Sequence, residues 1–133
     1  MRSRIILLTA SLLMAVTPAA FAQEQGDPDP EEIINNQIEY LSKYIEFDDI
    51  QLYYIDSTLQ SDIPQLMDEL SALRSGGMAN TESYQTVSDK WMDHIDKAYE
   101  RFFTKEQWEK YLKTSMGREK KARDKRMAKR QKK

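Results

Sequence analysis

Apolar side chains recur at spacings of three and four residues through most of the chain after residue 31, and this periodicity constrains the fold more than any other feature. It is the spacing of one helical face, because an α-helix turns once in about 3.6 residues. The clearest stripe consists of Tyr84, Val87, Trp91, Ile95, Ala98 and Phe102. No stretch of useful length alternates as a β-strand would. The sequence therefore predicts an all-α fold.

Capping signals place the first and the last of the expected helices. Asp29 and Pro30 start the first helix, because an N-cap oxygen and a proline at the first helical position both favour a helix there. Its apolar face consists of Ile34, Ile38, Leu41 and Ile45. The last helix begins after Thr104 and is weakened by Gly117, before a strongly basic tail. We expect three to four helices in all.

The middle of the chain predicts two long helices that pack as an antiparallel hairpin. The second helix begins near Asp48, and its stripe of Leu and Ile continues to the glycine pair at 76–77. Pro64 interrupts this stripe, so we expect a kink or a short break around residues 61–63. The third helix starts at residues 80–81, where Asn and Thr are both good capping residues.

The first 22 residues have the order of a secretion signal. Arg2 and Arg4 precede an apolar run at 5–16, and residues 20–22 form an A-x-A cleavage site. The run is shorter than the roughly 20 residues that a membrane-spanning helix needs. We therefore expect a signal peptide over 1–22, with cleavage near Ala22-Gln23 and a periplasmic or secreted location.

The rest of the chain divides into three parts. Residues 23–30 are rich in Gly, Pro and acidic side chains and are expected to form a flexible linker. A helical domain covers 31–116, and a basic tail, either helical or disordered, covers 117–133. This chain has no cysteine and is barely large enough to bury a core by itself, so we expect a homodimer.

Charge is strongly segregated along the chain. Residues 24–100 contain 18 acidic and four basic side chains, whereas residues 101–133 contain four acidic and 14 basic ones. The basic tail suits anionic lipid headgroups or the acidic face of a partner subunit, and a solvated helical extension is an equal alternative. We do not expect nucleic acid as a partner, because the chain is expected to be exported and the tail has no aromatic side chain for base stacking.

Two short segments share a capping pattern. Asp48 and Thr104 are N-cap residues, and a glutamine, Gln51 or Gln107, follows each at the third position. In such a capping box the cap oxygen accepts from the backbone three residues on, and the glutamine reaches back to the N–H of the cap. Apolar residues flank both boxes at the positions of a hydrophobic staple: Phe47 with Leu52, and Phe103 with Trp108. Each copy predicts a sharp turn between two helices.

A small exported helical chain with two such turns and a basic C-terminal end resembles the Spy/CpxP family of periplasmic proteins, whose hallmark is a repeated L-T-x-x-Q. Residues 103–107, Phe-Thr-Lys-Glu-Gln, match this motif with Phe in place of Leu, and residues 47–51, Phe-Asp-Asp-Ile-Gln, also have Asp in place of Thr. The resemblance covers residues 31–116. It implies a bent helical hairpin with extra helices that dimerises into a cradle, and a role as an ATP-independent chaperone, a sensor-kinase inhibitor or a metal-responsive protein.

His94 is the only histidine of the chain, and Asp93, Asp96 and Glu100 lie near it on one helical face. A tight zinc site uses three or four nitrogen or sulfur ligands, whereas this chain offers one imidazole and no thiolate. We interpret the cluster as a solvated acidic face and expect no metal site and no cofactor. Adjacent acidic pairs occur without a glycine-rich loop or a nucleophile turn, so we expect no enzymatic activity.

Aromatic and methionine side chains exceed what a thin helical domain can bury. We expect the surplus to form an adaptable binding surface, because amphipathic rings and flexible thioethers suit varied partners. The candidate client-binding residues are Tyr40, Tyr44, Tyr53, Tyr54, Met67 and Met92. The function that follows is an ATP-independent holdase for unfolded or misfolded exported proteins. The alternatives are a regulatory protein that docks on an envelope sensor and a structural helical module without holdase activity.

Overall fold

The computed structural model describes residues 28–77 and 80–133. The expected signal peptide and most of the expected linker lie outside these residues. The described residues are almost entirely helical and contain no strand, which confirms the all-α prediction for this part of the chain. Its helices are α1 Pro30–Tyr44, α2 Asp49–Ser75, α3 Thr81–Phe102, α4 Lys105–Lys113 and α5 Ser115–Gln131. None of these helices is both long and apolar enough to cross a membrane.

The described residues form five helices, where three to four were expected. The difference arises at Thr114, whose extended backbone ends α4 and whose hydroxyl oxygen accepts from the Gly117 N–H to cap α5. Gly117 does not weaken a helix here. It is buried at the junction, where an added Cβ would lie 2.4 Å from the carbonyl oxygen of Leu112, so the close approach of α4 and α5 requires glycine.

Helix α2 runs through Pro64 without the short break expected around residues 61–63. Leu59 and Ile63 are buried on the N-terminal side of the proline, and this packing holds the helix together across the missing backbone donor. The Gln65 side-chain amide adds a donor at the Ser61 carbonyl, at 2.9 Å.

The core lies where α1 and α3 pack against α2, and it is closed at one end by α4. Its buried members are Ile34, Leu41, Ile45, Ile55, Leu59, Ile63, Ile95, Tyr99, Phe103 and Tyr111. The rings of Tyr99 and Phe103 stack at 5.1 Å, and Tyr111 meets Tyr99 edge-on at 5.6 Å. This aromatic cluster fixes the C-terminal end of α3 against α4, which positions the features described next.

Candidate functional site

Both capping boxes are present at the helix starts where the sequence places them. Asp48 Oδ1 accepts from the Gln51 N–H at 2.7 Å, and the Asp48 N–H donates to Gln51 Oε1 at 3.2 Å. Thr104 Oγ1 accepts from the Gln107 N–H at 3.1 Å, and the Thr104 N–H donates to Gln107 Oε1 at 2.8 Å. These reciprocal bonds satisfy donors that a helix start leaves open, so each turn has one well-defined geometry.

The two boxes also interlock. Gln51 Nε2 donates to Gln107 Oε1 at 2.6 Å, and Gln107 Nε2 donates to Gln51 Oε1 at 2.9 Å. Each amide nitrogen donates a second bond, from Gln51 to the Phe102 carbonyl at 3.2 Å and from Gln107 to the Glu46 carbonyl at 2.8 Å. Each of those carbonyls stands two residues before an N-cap, so the glutamine junction has an approximate two-fold symmetry.

The rings of Phe47 and Phe103 extend this symmetry. Each phenylalanine directly precedes an N-cap residue, and their ring centroids lie 5.0 Å apart. Phe103 also meets Trp108 edge-on at 6.4 Å, which is the contact expected of a hydrophobic staple. The glutamine junction therefore ties the turn between α1 and α2 to the turn between α3 and α4.

Beside this junction, the first turns of α2 present large apolar side chains to solvent. Ile50 and Tyr53 are each 67% exposed and Tyr54 is 49% exposed, and their spacing puts all three on one helical face. We call these three residues the α2 patch. The Tyr54 ring lies 5.7 Å from the half-buried ring of Phe102, so the patch is continuous with the last turn of α3.

The other expected client-binding residues have different surroundings. Tyr44 is exposed and lies 5.0 Å from the Tyr40 ring, measured between centroids. Tyr40 packs against the core, and its hydroxyl lies 2.5 Å from the Ser115 hydroxyl and accepts from the Ser115 N–H at 3.1 Å. Met67 and Met92 are also half-buried against the core. The expected set therefore divides into exposed rings and side chains that support the fold.

The acidic face around residue 96 is not fully solvated, contrary to expectation. Asp96 is buried, accepts from the Tyr111 hydroxyl at 2.5 Å and forms an ion pair with the buried guanidinium of Arg123. Burial raises the pKa of the Asp96 carboxyl above its ordinary value, and the hydrogen bond from Tyr111 and the charge of Arg123 oppose this shift. Burial likewise raises the pKa of Tyr111. The network joins α3, α4 and α5.

A second acidic residue on α3 holds the far end of α5. Asp89 is buried and accepts from Arg126 at 2.8 and 3.2 Å and from Arg130 at 2.8 Å. Burial alone would raise the pKa of Asp89, but the hydrogen bonds and charges of the two arginines lower it below its ordinary value. The basic tail thus pairs with acidic side chains of its own chain, through one face of a helix.

The lowered pKa of Asp89 gives a pH-dependent attachment of α5. An Asp whose pKa is lower in the folded than in the unfolded state stabilises the fold at pH values above its unfolded pKa, which is about 3.9. This contribution is lost as the pH falls from there through the pKa of the folded state. We expect the protection factors for amide hydrogen exchange in α5 beyond Arg126, which are corrected for the intrinsic pH dependence of exchange, to fall below about pH 4. Asp89→Asn should show fast exchange at neutral pH. Equal protection of α5 in both proteins at pH 7 would contradict this.

His94 joins α3 to α2 rather than belonging to an acidic cluster. Its Nδ1 lies 2.5 Å from the carboxylate of Asp62, which is buried, while the imidazole itself is largely exposed. One turn before His94 on α3, Lys90 Nζ and Trp91 Nε1 donate to Glu69 of α2, at 2.6 and 3.1 Å. Within the described ranges, no three His, Asp or Glu side chains gather closely enough to hold a metal ion.

Comparison of the chain with protein-family models, with curated proteins and with solved structures finds no match.

The attachment of the tail to α3 was not foreseen, although the sequence contains a signal for it. Arg123, Arg126 and Arg130 recur at three and four residues, and Asp89 and Asp96 are seven apart, so each set lies on one helical face. Matching stripes of opposite charge indicate two helices that pack together.

Proposed function

We propose that this chain is an exported, ATP-independent binding protein that shields unfolded or misfolded proteins. The observation that carries this proposal is the α2 patch. Scattered exposed apolar side chains are ordinary, but three large ones on one helical face, continuous with the ring of Phe102 on another helix, indicate a binding surface. Ser57 and Ser61 continue the same face and are exposed, which gives the patch a polar border from which clients can dissociate.

Charge favours the same kind of client. The chain from residue 24 to residue 100 has a net charge of −14, with 18 acidic and four basic side chains. Asp49 and Glu46 are exposed beside the patch. An acidic surface attracts basic segments of unfolded chains over a distance on the order of the Debye length, about 10 Å at moderate salt. The α2 patch then supplies short-range contacts that do not depend on a particular sequence.

The proposed architecture is a long antiparallel hairpin of α2 and α3 that dimerises into a cradle, as the resemblance to the Spy/CpxP family implies. Side-chain pairs between the two helices run in opposite order, with Asp62 against His94 and Glu69 against Lys90, which supports the hairpin. The interlocked Gln51 and Gln107 support the resemblance, because these two residues are the glutamines of its repeated motif. In a cradle, two copies of the α2 patch would enlarge the binding surface.

The test is light scattering of a reduced or heat-denatured client, without ATP and with an equimolar amount of the chain lacking residues 1–22. We expect suppression of aggregation across several unrelated clients. Tyr53→Ser should weaken it, because Tyr53 is two-thirds exposed and, among the described residues, its ring contacts only that of Tyr54. Leu112→Ser removes an exposed apolar side chain on α4 and serves as the matched control. Aggregation that proceeds unchanged for every client would refute the holdase.

A further inference from the structure

Helix α5 carries two basic faces with different surroundings. Its arginines Arg123, Arg126 and Arg130 face the body of the protein and pair with Asp89 and Asp96. A second set, Arg118, Lys121, Lys125, Lys129 and Lys132, is exposed. At about 100° per residue these five side chains fall within an arc of roughly 80° on the helix, and they extend over about 21 Å. We call this set the lysine stripe.

Acidic side chains are absent from this arc. The acidic residues of α5 are Glu119 and Asp124, and both fall outside the stripe on the helical wheel. Asp124 is paired with Lys120 at 2.6 Å. Within the described part of the chain, the four lysines of the stripe form no ion pair. The stripe is therefore a continuous positive surface, held outward because the opposite face of α5 is bound to α3.

We propose that the lysine stripe is a docking surface for the anionic headgroups of a lipid bilayer, a role beyond the proposed holdase. The division of residue types supports a lipid partner. A guanidinium matches carboxylates with a planar fork, whereas a lysine ammonium is a hydrated point charge that suits a diffuse anionic surface. The arginines that face the body of the protein pair with aspartates. The basic residues of the stripe, apart from Arg118, are lysines.

A protein partner fits the stripe less well. Protein interfaces depend on buried anchors such as Trp and Tyr, and the only apolar side chains of α5 that border the stripe are Ala122 and Ala128. At its N-terminal end, Arg118 lines an open cavity of about 350 Å³ together with Lys110, Lys113 and the exposed Tyr44. Tyrosines beside basic residues are characteristic of the membrane–water interface. Binding is thus electrostatic and peripheral, without insertion of an apolar segment.

The test is co-sedimentation of the chain lacking residues 1–22 with vesicles of three parts phosphatidylcholine to one part phosphatidylglycerol, at low salt. We expect binding that is lost at high salt and absent with pure phosphatidylcholine. Replacing Lys121, Lys125 and Lys129 with glutamine should weaken partitioning on the order of 100-fold, since each lysine near such a surface contributes roughly a factor of five. Circular dichroism should show an unchanged helix content, because these side chains are exposed.

A matched control separates the stripe from net charge. Glutamine at Lys43, Lys97 and Lys105, which are exposed elsewhere on the molecule, removes the same charge and should weaken partitioning about fivefold or less. Equal losses in the two triple variants would overturn the proposal. An absence of vesicle binding at low salt would also overturn it, and polyglutamate serves as a second probe in that case. Binding to polyglutamate alone would indicate an acidic protein partner, and binding to neither probe would equally contradict a lipid-docking surface.

Discussion

Replacing Asp96 with alanine is expected to lower the free energy of unfolding by about 3–5 kcal/mol, the range for removing one partner of a buried ion pair. The variant leaves the buried guanidinium of Arg123 without its counter-charge and the buried hydroxyl of Tyr111 without its acceptor. Urea denaturation followed by circular dichroism measures the loss. Asp124→Ala is the control, because its pair with Lys120 is partly exposed and such pairs contribute about 0–1 kcal/mol.

Removing the whole network should cost less than removing Asp96 alone. Burial raises the pKa of Asp96, so ionising this carboxylate in the core carries a desolvation penalty that Arg123 and Tyr111 offset. The triple variant Asp96→Leu, Arg123→Met and Tyr111→Phe removes the charges together with that penalty, and it should recover most of the stability lost in Asp96→Ala. An Asp96→Ala protein as stable as the Asp124→Ala control would show that the network does not hold α5 in place.

Gln107→Ala is expected to destabilise the protein by about 3–4 kcal/mol, since the Gln107 side chain makes four hydrogen bonds and each contributes roughly 1 kcal/mol. Its partners are the Thr104 N–H, the amide of Gln51, with which it exchanges two bonds, and the Glu46 carbonyl. Gln65→Ala is the matched control, because that exposed glutamine donates a single bond to its own helix. The midpoint of urea denaturation gives the comparison.

Gln107→Glu separates the stability that the capping box contributes from the stability that the hydrogen bonds between the two boxes contribute. A glutamate still accepts from the Thr104 N–H and from Gln51 Nε2, so it retains the capping box. An ionised carboxylate donates no hydrogen bond to the Glu46 carbonyl or to Gln51 Oε1, and its charge is repelled by both of these acceptor oxygens. We therefore expect Gln107→Glu to lose most of the stability that Gln107→Ala loses. A wild-type midpoint in Gln107→Glu would mean that the two turns are held together by packing of Phe47 and Phe103 instead.

Features determined within a few residues were predictable from the sequence. The helical class follows from apolar spacing, and the capping boxes at Asp48 and Thr104 follow from residues three positions apart. The start of α5 was missed because Thr114 lies inside a run that keeps a helical spacing, and its capping role depends on the close approach of α4 and α5 that Gly117 allows. The continuity of α2 through Pro64 likewise depends on tertiary packing.

Contacts between distant residues were not predictable in the same way. Gln51 and Gln107 were recognised as a repeated motif, but their direct pairing joins residues 56 apart and depends on how α1 to α4 pack. The segregation of charge predicted that the basic tail binds anionic lipid headgroups or the acidic face of a partner subunit, with a solvated extension as an equal alternative. Three arginines of the tail pair instead with Asp89 and Asp96 of the same chain, because Thr114 turns α5 back against α3.

The measurement that tests the proposed function most directly is the binding of one client in its unfolded and in its native form. Fluorescence anisotropy of labelled α-lactalbumin, either reduced and carboxymethylated or with its disulfides intact, is titrated with the chain lacking residues 1–22 in the absence of nucleotide. We expect the unfolded form to bind and the native form not to bind, because the α2 patch recognises exposed apolar segments. Equal binding of the two forms, or binding of neither, would contradict a holdase.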